Sequence, residues 1–476
     1  MIFNSFQFVI FFIVVTFLYY ALPHRFRWFL LLMSSCYFYM YFVPVYMLIL
    51  GFTIVVDYFA GILIEKNEGR RRKAYLIASL IANIGVLAVF KYYNFFNSVI
   101  TDVLADFTYQ NPIPYLSILL PIGLSFHTFQ AMSYTIEVFR KKQKSERHFG
   151  IYALYVMFYP QLVAGPIERP QNMLHQFREK HDFDYNRVVD GLKLMLWGLF
   201  KKLVIADRLG IYVDAVYNNM GEHNGSSIFL ATLFFSIQIY CDFSGYTDIA
   251  IGAARVMGFK LMLNFKRPVF AKSTGEHWKR WHISLSTWFK DYLYFPLGGS
   301  RVSQTRLYYN LMVVFLISGF WHGANWTYVI WGGINGFYLV MGMVTKKHRE
   351  RFNKFITIDR YPRLLLVTQI IITFVLISLS RVFFRSASIQ DALLAFKKIF
   401  TMPGPIFMKN PSMMLFSIMA IAILLIVESK QEFYGEKFSL LNNRKWYIRN
   451  LSYAVLIILI LLLGVFDGGQ FIYFQF

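Results

Sequence analysis

Long apolar runs, interrupted by short polar or basic stretches, occupy the chain from end to end. Runs long enough to cross a hydrocarbon core of ~30 Å fall at 2–22, 28–43, 45–64, 75–95, 115–139, 188–206, 225–256, 307–323, 326–345, 363–384, 412–428 and 450–466. Runs of this length and continuity predict helices, giving an all-α polytopic bundle of about 11 or 12 transmembrane helices. A further run, 150–167, contains Pro160, Gly165 and Pro166. It reads as a half-helix or re-entrant segment, which survives at membrane depth only where protein or a cavity shields its backbone. The first run, Ile2–Leu22, has no basic leader and no small-residue cleavage site, so it is expected to remain as a span.

Composition sharpens this picture. Of 476 residues, 57% are hydrophobic and 16% charged, against roughly 25% charged in ordinary soluble domains. Soluble enzymes, disordered chains and nucleic-acid readers are thereby excluded. A formal charge of +22 would suggest a nucleic-acid partner in a soluble protein, but here the basic residues cluster in short loops. Segments 65–74, 140–149 and 429–449 carry five Lys/Arg each and 345–363 carries seven, whereas 96–114 and 467–476 carry none. The positive-inside rule makes the basic segments cytoplasmic, and twelve spans then leave both termini extracytoplasmic. Cys36 and Cys241 lie in apolar runs and cannot form a disulfide framework. The expectation is a single integral-membrane domain over 1–476 with no soluble domain.

The longest hydrophilic segment, 257–306, falls on the cytoplasmic side and contains GEHWKRWHISLSTWFKDYLYFPLGGSR. At a helical step of about 100°, Trp278, Trp281, His282, Leu285, Trp288, Phe289 and Tyr292 share one arc. Lys279, Arg280, Thr287, Lys290 and Asp291 share the other, with Ile283 the exception. That pattern predicts an amphipathic helix lying at the interface or dipping into the protein.

Few residues offer chemistry. His322, in SGFWHGANW (318–326), sits at the end of the run 307–323 between Gly319 and Gly323. Ionisable groups at membrane depth are costly and usually functional, and the glycines suit close backbone approach by a substrate. A neutral imidazole there could take a proton from an acceptor hydroxyl. The alternative is a histidine packed at a helix end. His282 is either a second site histidine or a ring snorkelling at the boundary; His277 reads as solvated or structural. Asp242 and Asp248, in CDFSGYTDIA (241–250), read as a pocket wall or as helix-locking pairs with Arg255 or a neighbouring span. His127 is open to the same two readings. The tail DGGQFIYFQF (467–476) suits an interfacial aromatic belt, although Gly468-Gly469 would let Tyr473 fold back into a cavity. P-loop, zinc, GxSxG and CxxC motifs are missing from the sequence, so no metal site is expected and any acyl chemistry falls to histidine, tyrosine and the substrate.

LVAGPIERP (162–170), FSGYTDIAIG (243–252), NFKRPVFAKSTGEHWKRWHISLSTWFKDYLYFPLGG (264–299), SGFWHGANW and the terminal FIYFQF, taken together, closely resemble the membrane-bound O-acyltransferase (MBOAT) family. The likeness is greatest to its bacterial alginate/peptidoglycan O-acetyltransferase branch. The resemblance implies helices around a central tunnel lined by a catalytic His322 and a second histidine, His282, with Tyr473 accepting the acyl group on the outer side. It makes Trp321, Trp288 and Asp291 candidate substrate-binding residues. Lys266, Arg267, Lys279 and Arg280 become candidates for attracting the phosphates of acetyl-CoA, which is the donor substrate and not a bound cofactor. The implied setting is the bacterial inner membrane, multi-pass, with the lipid bilayer, an extracytoplasmic SGNH-type transferase and a polysaccharide acceptor as partners, and no nucleic acid. Two other readings stand beside it. One is D-alanyl transfer of the teichoic-acid type from a carrier protein. The other is a transporter or flippase built on Asp242, Asp248 and the broken 150–167 segment.

Overall fold

The computed structural model describes residues 1–117, 121–435, 441, 443–466 and 471–472. Every regular element among them is helical. Seven of the described helices are long and apolar enough to cross a bilayer: 46–66, 69–106, 225–256, 326–344, 362–385, 411–434 and 446–463. The other apolar runs also form helices, shorter ones in the case of Phe6–Ala21 and Leu124–Phe139. Part of the stretch after residue 95, which lacks Lys and Arg, is helical too, because the helix beginning at Gly69 continues through a π turn to Asp106. Backbone packing divides the chain into two units, Met1–Met195 with Tyr246–Met262, and Leu196–Gly245 with Leu263–Ile472.

The first unit contains α1 (Phe6–Ala21), α2 (His24–Met40), α3 (Tyr46–Lys66), α4 (Gly69–Leu87), α5 (Tyr93–Asp106), α6 (Leu124–Phe139), α7 (Phe149–Met157), α8 (Tyr159–Leu162), α9 (Pro170–Met173) and most of α10 (Tyr185–Leu199). Polar side chains lock three of these helices together, as expected where lipid removes the hydrophobic drive for helix association. Asp57 on α3 is fully buried and accepts hydrogen bonds from Ser79 (2.6 Å) and Asn83 (2.8 Å) on α4. Ser79 also lies 3.1 Å from the Thr135 hydroxyl on α6. His127 joins this packing through a 3.2 Å hydrogen bond between its Nε2 and Thr53 Oγ1.

The segment 150–167 is buried throughout. Its helix breaks at Phe158, between α7 and α8. The carbonyl of Tyr155 is met by the Gln130 and Gln161 side-chain amides, and the Tyr155 hydroxyl donates to the Glu168 carbonyl at 2.9 Å. Protein shields the broken backbone, which is the condition such a segment needs.

In the second unit α10 runs into a π-helical stretch, Phe200–Ala206, followed by α11 (Asp207–Tyr217) and the first part of α12 (Gly225–Val256). Then come α13 (Thr274–Arg280), α14 (Ile283–Phe289), α15 (Gln304–His322), α16 (Trp326–Val344), α17 (Lys346–Phe355), α18 (Pro362–Arg385), α19 (Ile389–Thr401), α20 (Pro411–Tyr434) and α21 (Trp446–Leu463). The amphipathic helix expected over 278–292 is not continuous. It stops at Arg280, passes through His282 with φ +42, resumes as α14 and ends in a π turn over Lys290–Tyr294. The two faces nevertheless survive, with Trp281, His282, Leu285, Trp288 and Phe289 buried and Lys279 and Lys290 exposed.

Helices α15 and α16 form a hairpin whose close approach rests on glycine. A Cβ on Gly319 would lie 2.3 Å from the Tyr328 carbonyl oxygen, and one on Gly332 would lie 2.3 Å from that of Phe315. A Cβ on Gly323 would likewise lie 2.1 Å from the Tyr328 ring. The glycines flanking His322 are therefore taken up by helix packing, not by substrate approach. Asn325 caps α16 by accepting the Thr327 N–H at 3.0 Å, which closes the turn just past His322. A Gly332→Ala change should cost roughly 1–3 kcal/mol through overpacking. At Gly333, where a Cβ meets only Leu316 at an ordinary 3.4 Å, the same change should be neutral or stabilising by up to ~1 kcal/mol from helix propensity. Melting midpoints of the two variants in detergent check this; equal midpoints would refute the glycine-dependent crossing.

Candidate active site

The site is built on the break between α13 and α14. Asn264, fully buried in the stretch before α13, accepts three hydrogen bonds at its side-chain oxygen. They come from the Ser284 N–H (3.2 Å), the Ser284 hydroxyl (3.0 Å) and His282 Nδ1 (3.1 Å). Because a backbone N–H can only donate, the Asn264 atom is the carbonyl oxygen, and His282 must carry its proton on Nδ1. In the neutral ring Nε2 is then the basic nitrogen. The Asn264 carbonyl also accepts the Ile283 N–H at 2.9 Å, and the Lys266 N–H donates to the Arg280 carbonyl at 2.9 Å. These bonds hold His282 in a left-handed conformation that costs a non-glycine residue ~1–2 kcal/mol. Backbone strain of this kind gathers at functional sites, where the surroundings over-determine it.

Aromatic rings fix both imidazoles. Phe243 presents its edge to His282 at 4.7 Å, and Trp321 lies 6.5 Å from the same ring. His322, buried at the last turn of α15, is enclosed by Trp321 (4.9 Å), Trp331 (5.1 Å) and Phe384 (5.6 Å). Beneath His282, Trp281 stacks on His277 at 5.6 Å, and the Arg381 guanidinium lies over the Trp281 ring at 4.4 Å. Burial depresses the pKa of His282 to about 3. Burial, with the Arg381 charge adding to it, does the same to His277. His282 and His277 are therefore neutral at physiological pH.

A cavity of about 850 Å³ has both His282 and His322 on its wall. Ser286, Thr287 and Ser318 add hydroxyls, Trp278, Phe289 and Phe315 add apolar surface, and Glu276, Lys279 and Lys290 supply charge. Such a mixed lining suits a ligand with a polar head and a small reactive group. The sequence-predicted residues divide accordingly. His282, His322 and Lys279 meet at the cavity, and Trp321 touches both histidines. Trp288 packs on Phe289 and Tyr292, Asp291 is half-buried, and Lys266 is exposed. Arg267 and Arg280 are engaged by carboxylates: Glu432 pairs with Arg267 at 2.8 Å and Arg280 at 2.7 Å, and Glu276 pairs with Arg280 at 2.6 Å. Tyr473 and the hinge Gly468-Gly469 lie outside the described residues.

Asp242 has an ion-pair partner from a neighbouring run, Lys202, at 2.6 Å, as one of the two structural readings expected. Asn264, Trp331, Phe384 and Lys202 were not singled out by sequence. Lys202 alone carried a signal, as a cation inside an apolar run.

The model of the membrane-bound O-acyltransferase family matches residues 83–385, which include both histidines. The protein named probable alginate O-acetylase AlgI of Pseudomonas aeruginosa is 36% identical over 405 residues, covering 84% of this chain and 75% of that one. The peptidoglycan O-acetyltransferase of Helicobacter pylori is 34% identical over 401 residues, covering 79% and 74%. A teichoic acid D-alanyltransferase of Streptococcus thermophilus is 28% identical over 255 residues, covering 50% and 60%. A match of that extent leaves one assignment: the chain belongs to the membrane-bound O-acyltransferase family and is an acyltransferase.

Proposed function

We propose that this protein takes acetyl from cytoplasmic acetyl-CoA and passes it across the membrane for O-acetylation of an exported polysaccharide. The observation that carries the reading is the single cavity with His282 and His322 on its wall and lysines beside them. Relatives named for alginate and peptidoglycan acetylation support both the acetyl group and the polysaccharide. In this scheme the CoA phosphates meet Lys279 and Lys290, since Arg267 and Arg280 are tied to Glu432 and Glu276. The bacterial inner membrane, extracytoplasmic termini and an SGNH-type partner outside belong to the same proposal.

The chemistry balances with the groups named. His322, assisted by His282, accepts the phenolic proton of Tyr473. The phenolate oxygen attacks the thioester carbonyl carbon, the C–S bond breaks, and the proton returns to the thiolate to give CoA–SH. The tyrosyl acetate then hands its acetyl to the outer partner and through it to the polysaccharide. The aromatic walls exclude water, which would otherwise hydrolyse the thioester.

Incubation of purified protein with radiolabelled acetyl-CoA should yield an acetyl adduct on Tyr473 by peptide mass analysis. His322→Ala should abolish it while the protein still folds. Tyr473→Phe should block polysaccharide acetylation and leave slow acetyl-CoA hydrolysis; full acetylation by that variant would overturn the relay. The tautomer of His282 has its own test. Asn264→Leu should lower kcat by roughly 10–100-fold, the scale of a small misplacement of a reacting group. Asn264→Asp, which keeps the acceptor, should retain most of the rate. Equal losses in the two variants would show that the hydrogen bond to Nδ1 has no part in the reaction.

A further inference from the structure

Phe471 and Ile472 are held within the second unit by charges buried in it. Lys202, in the π-helical stretch 200–206, is buried, and its ammonium lies 2.6 Å from Asp242 on α12 and 2.8 Å from Asp207. The same groups also hold Phe471 and Ile472. The second carboxylate oxygen of Asp242 accepts the Ile472 N–H at 2.8 Å. The Lys202 ammonium stands 4.4 Å from the centre of the Phe471 ring, a cation–π contact. Phe471 and Ile472 are 1% and 8% exposed, so this stretch is seated inside the protein. Two more bonds tie residues 463–465 to the same part of the second unit. The Val465 N–H donates to the Leu203 carbonyl at 3.0 Å, and Arg208 donates to the Leu463 carbonyl.

A buried ion pair is a weak device for stability, because desolvation of the charges offsets most of their attraction. An apolar trio would hold these helices together at less cost. What the charges add is direction: a carboxylate oxygen aimed at one backbone N–H and an ammonium aimed at one ring define a register for Phe471 and Ile472. The residue after Asp242 is Phe243, whose edge meets His282 at 4.7 Å. Two consecutive residues of α12 thus touch the tail and the site histidine.

The geometry points to Lys202 and Asp242 as positioning residues that clamp the tail at Phe471–Ile472 and so set the register in which Tyr473 accepts the acetyl group. This rests on the acyl-tyrosine relay proposed above. The clamp acts through the backbone and the Phe471 ring, and it takes no part in bond making.

Variants on the tail side test it while leaving the ion cluster intact. Ile472→Pro deletes the N–H that Asp242 accepts, and Phe471→Leu removes the ring while keeping an apolar side chain. Full-length protein in detergent is read in three ways: melting midpoint, carboxypeptidase removal of the residues after 472 by intact mass, and the rate of Tyr473 acetylation from labelled acetyl-CoA. Both variants should melt near the parent and lose the tail faster to carboxypeptidase. Their Tyr473 acetylation should be roughly tenfold slower or worse, with an unchanged KM for acetyl-CoA. Parental trimming and acetylation rates in both variants would overturn the clamp. If the parent itself gave no Tyr473 adduct while the variants still lost their tails faster, the relay would fall and the seating of the tail by Lys202 and Asp242 would stand.

Discussion

A polar group in the hydrocarbon core of a membrane has no water to turn to, and leaving one unmet costs several kcal/mol. Much of the structure follows from that constraint. In the first unit it brings Ser79 and Asn83 to Asp57, and two glutamine amides to the carbonyl exposed where α7 breaks. In the second it brings three donors to one oxygen of Asn264, and both Asp207 and Asp242 to Lys202. Helices that pass through lipid are apolar on most of their surface, so the polar contacts between them also specify which helix meets which and in what register.

At the candidate site the same constraint fixes the state of an imidazole. The hydrogen bond to Asn264 settles which nitrogen of His282 carries the proton, and burial keeps the ring neutral. His322 is placed by a different means: the glycines of α15 and α16 bring two backbones into contact, and the turn capped by Asn325 follows at once. An aromatic enclosure then holds the ring. One histidine is held by a polar bond at a strained residue and the other by close packing. Both face one cavity.

Of the readings open at the outset, the transporter is set aside by family membership, which the chain shares along most of its length with O-acetyltransferases. Two of the features that made a carrier conceivable have other work. Asp242 belongs to an ion cluster with Lys202, and the broken 150–167 segment is enclosed by protein.

The linear pattern was enough to establish a helical membrane protein, to set out its apolar runs, and to single out His322 and His282. Each of these depends on local features, either a run of apolar residues or an ionisable residue out of place in one. It could not show that the amphipathic helix breaks at His282, because periodicity records only which side of a helix each residue would occupy. The break depends on Asn264, 18 positions away. Nor could it pair Lys202 with Asp242 across 40 residues, or assign the glycines beside His322 to helix packing. Those outcomes required the tertiary structure, because the energy of a buried polar group or a close helix crossing is decided by residues brought near in space, whatever their distance along the chain.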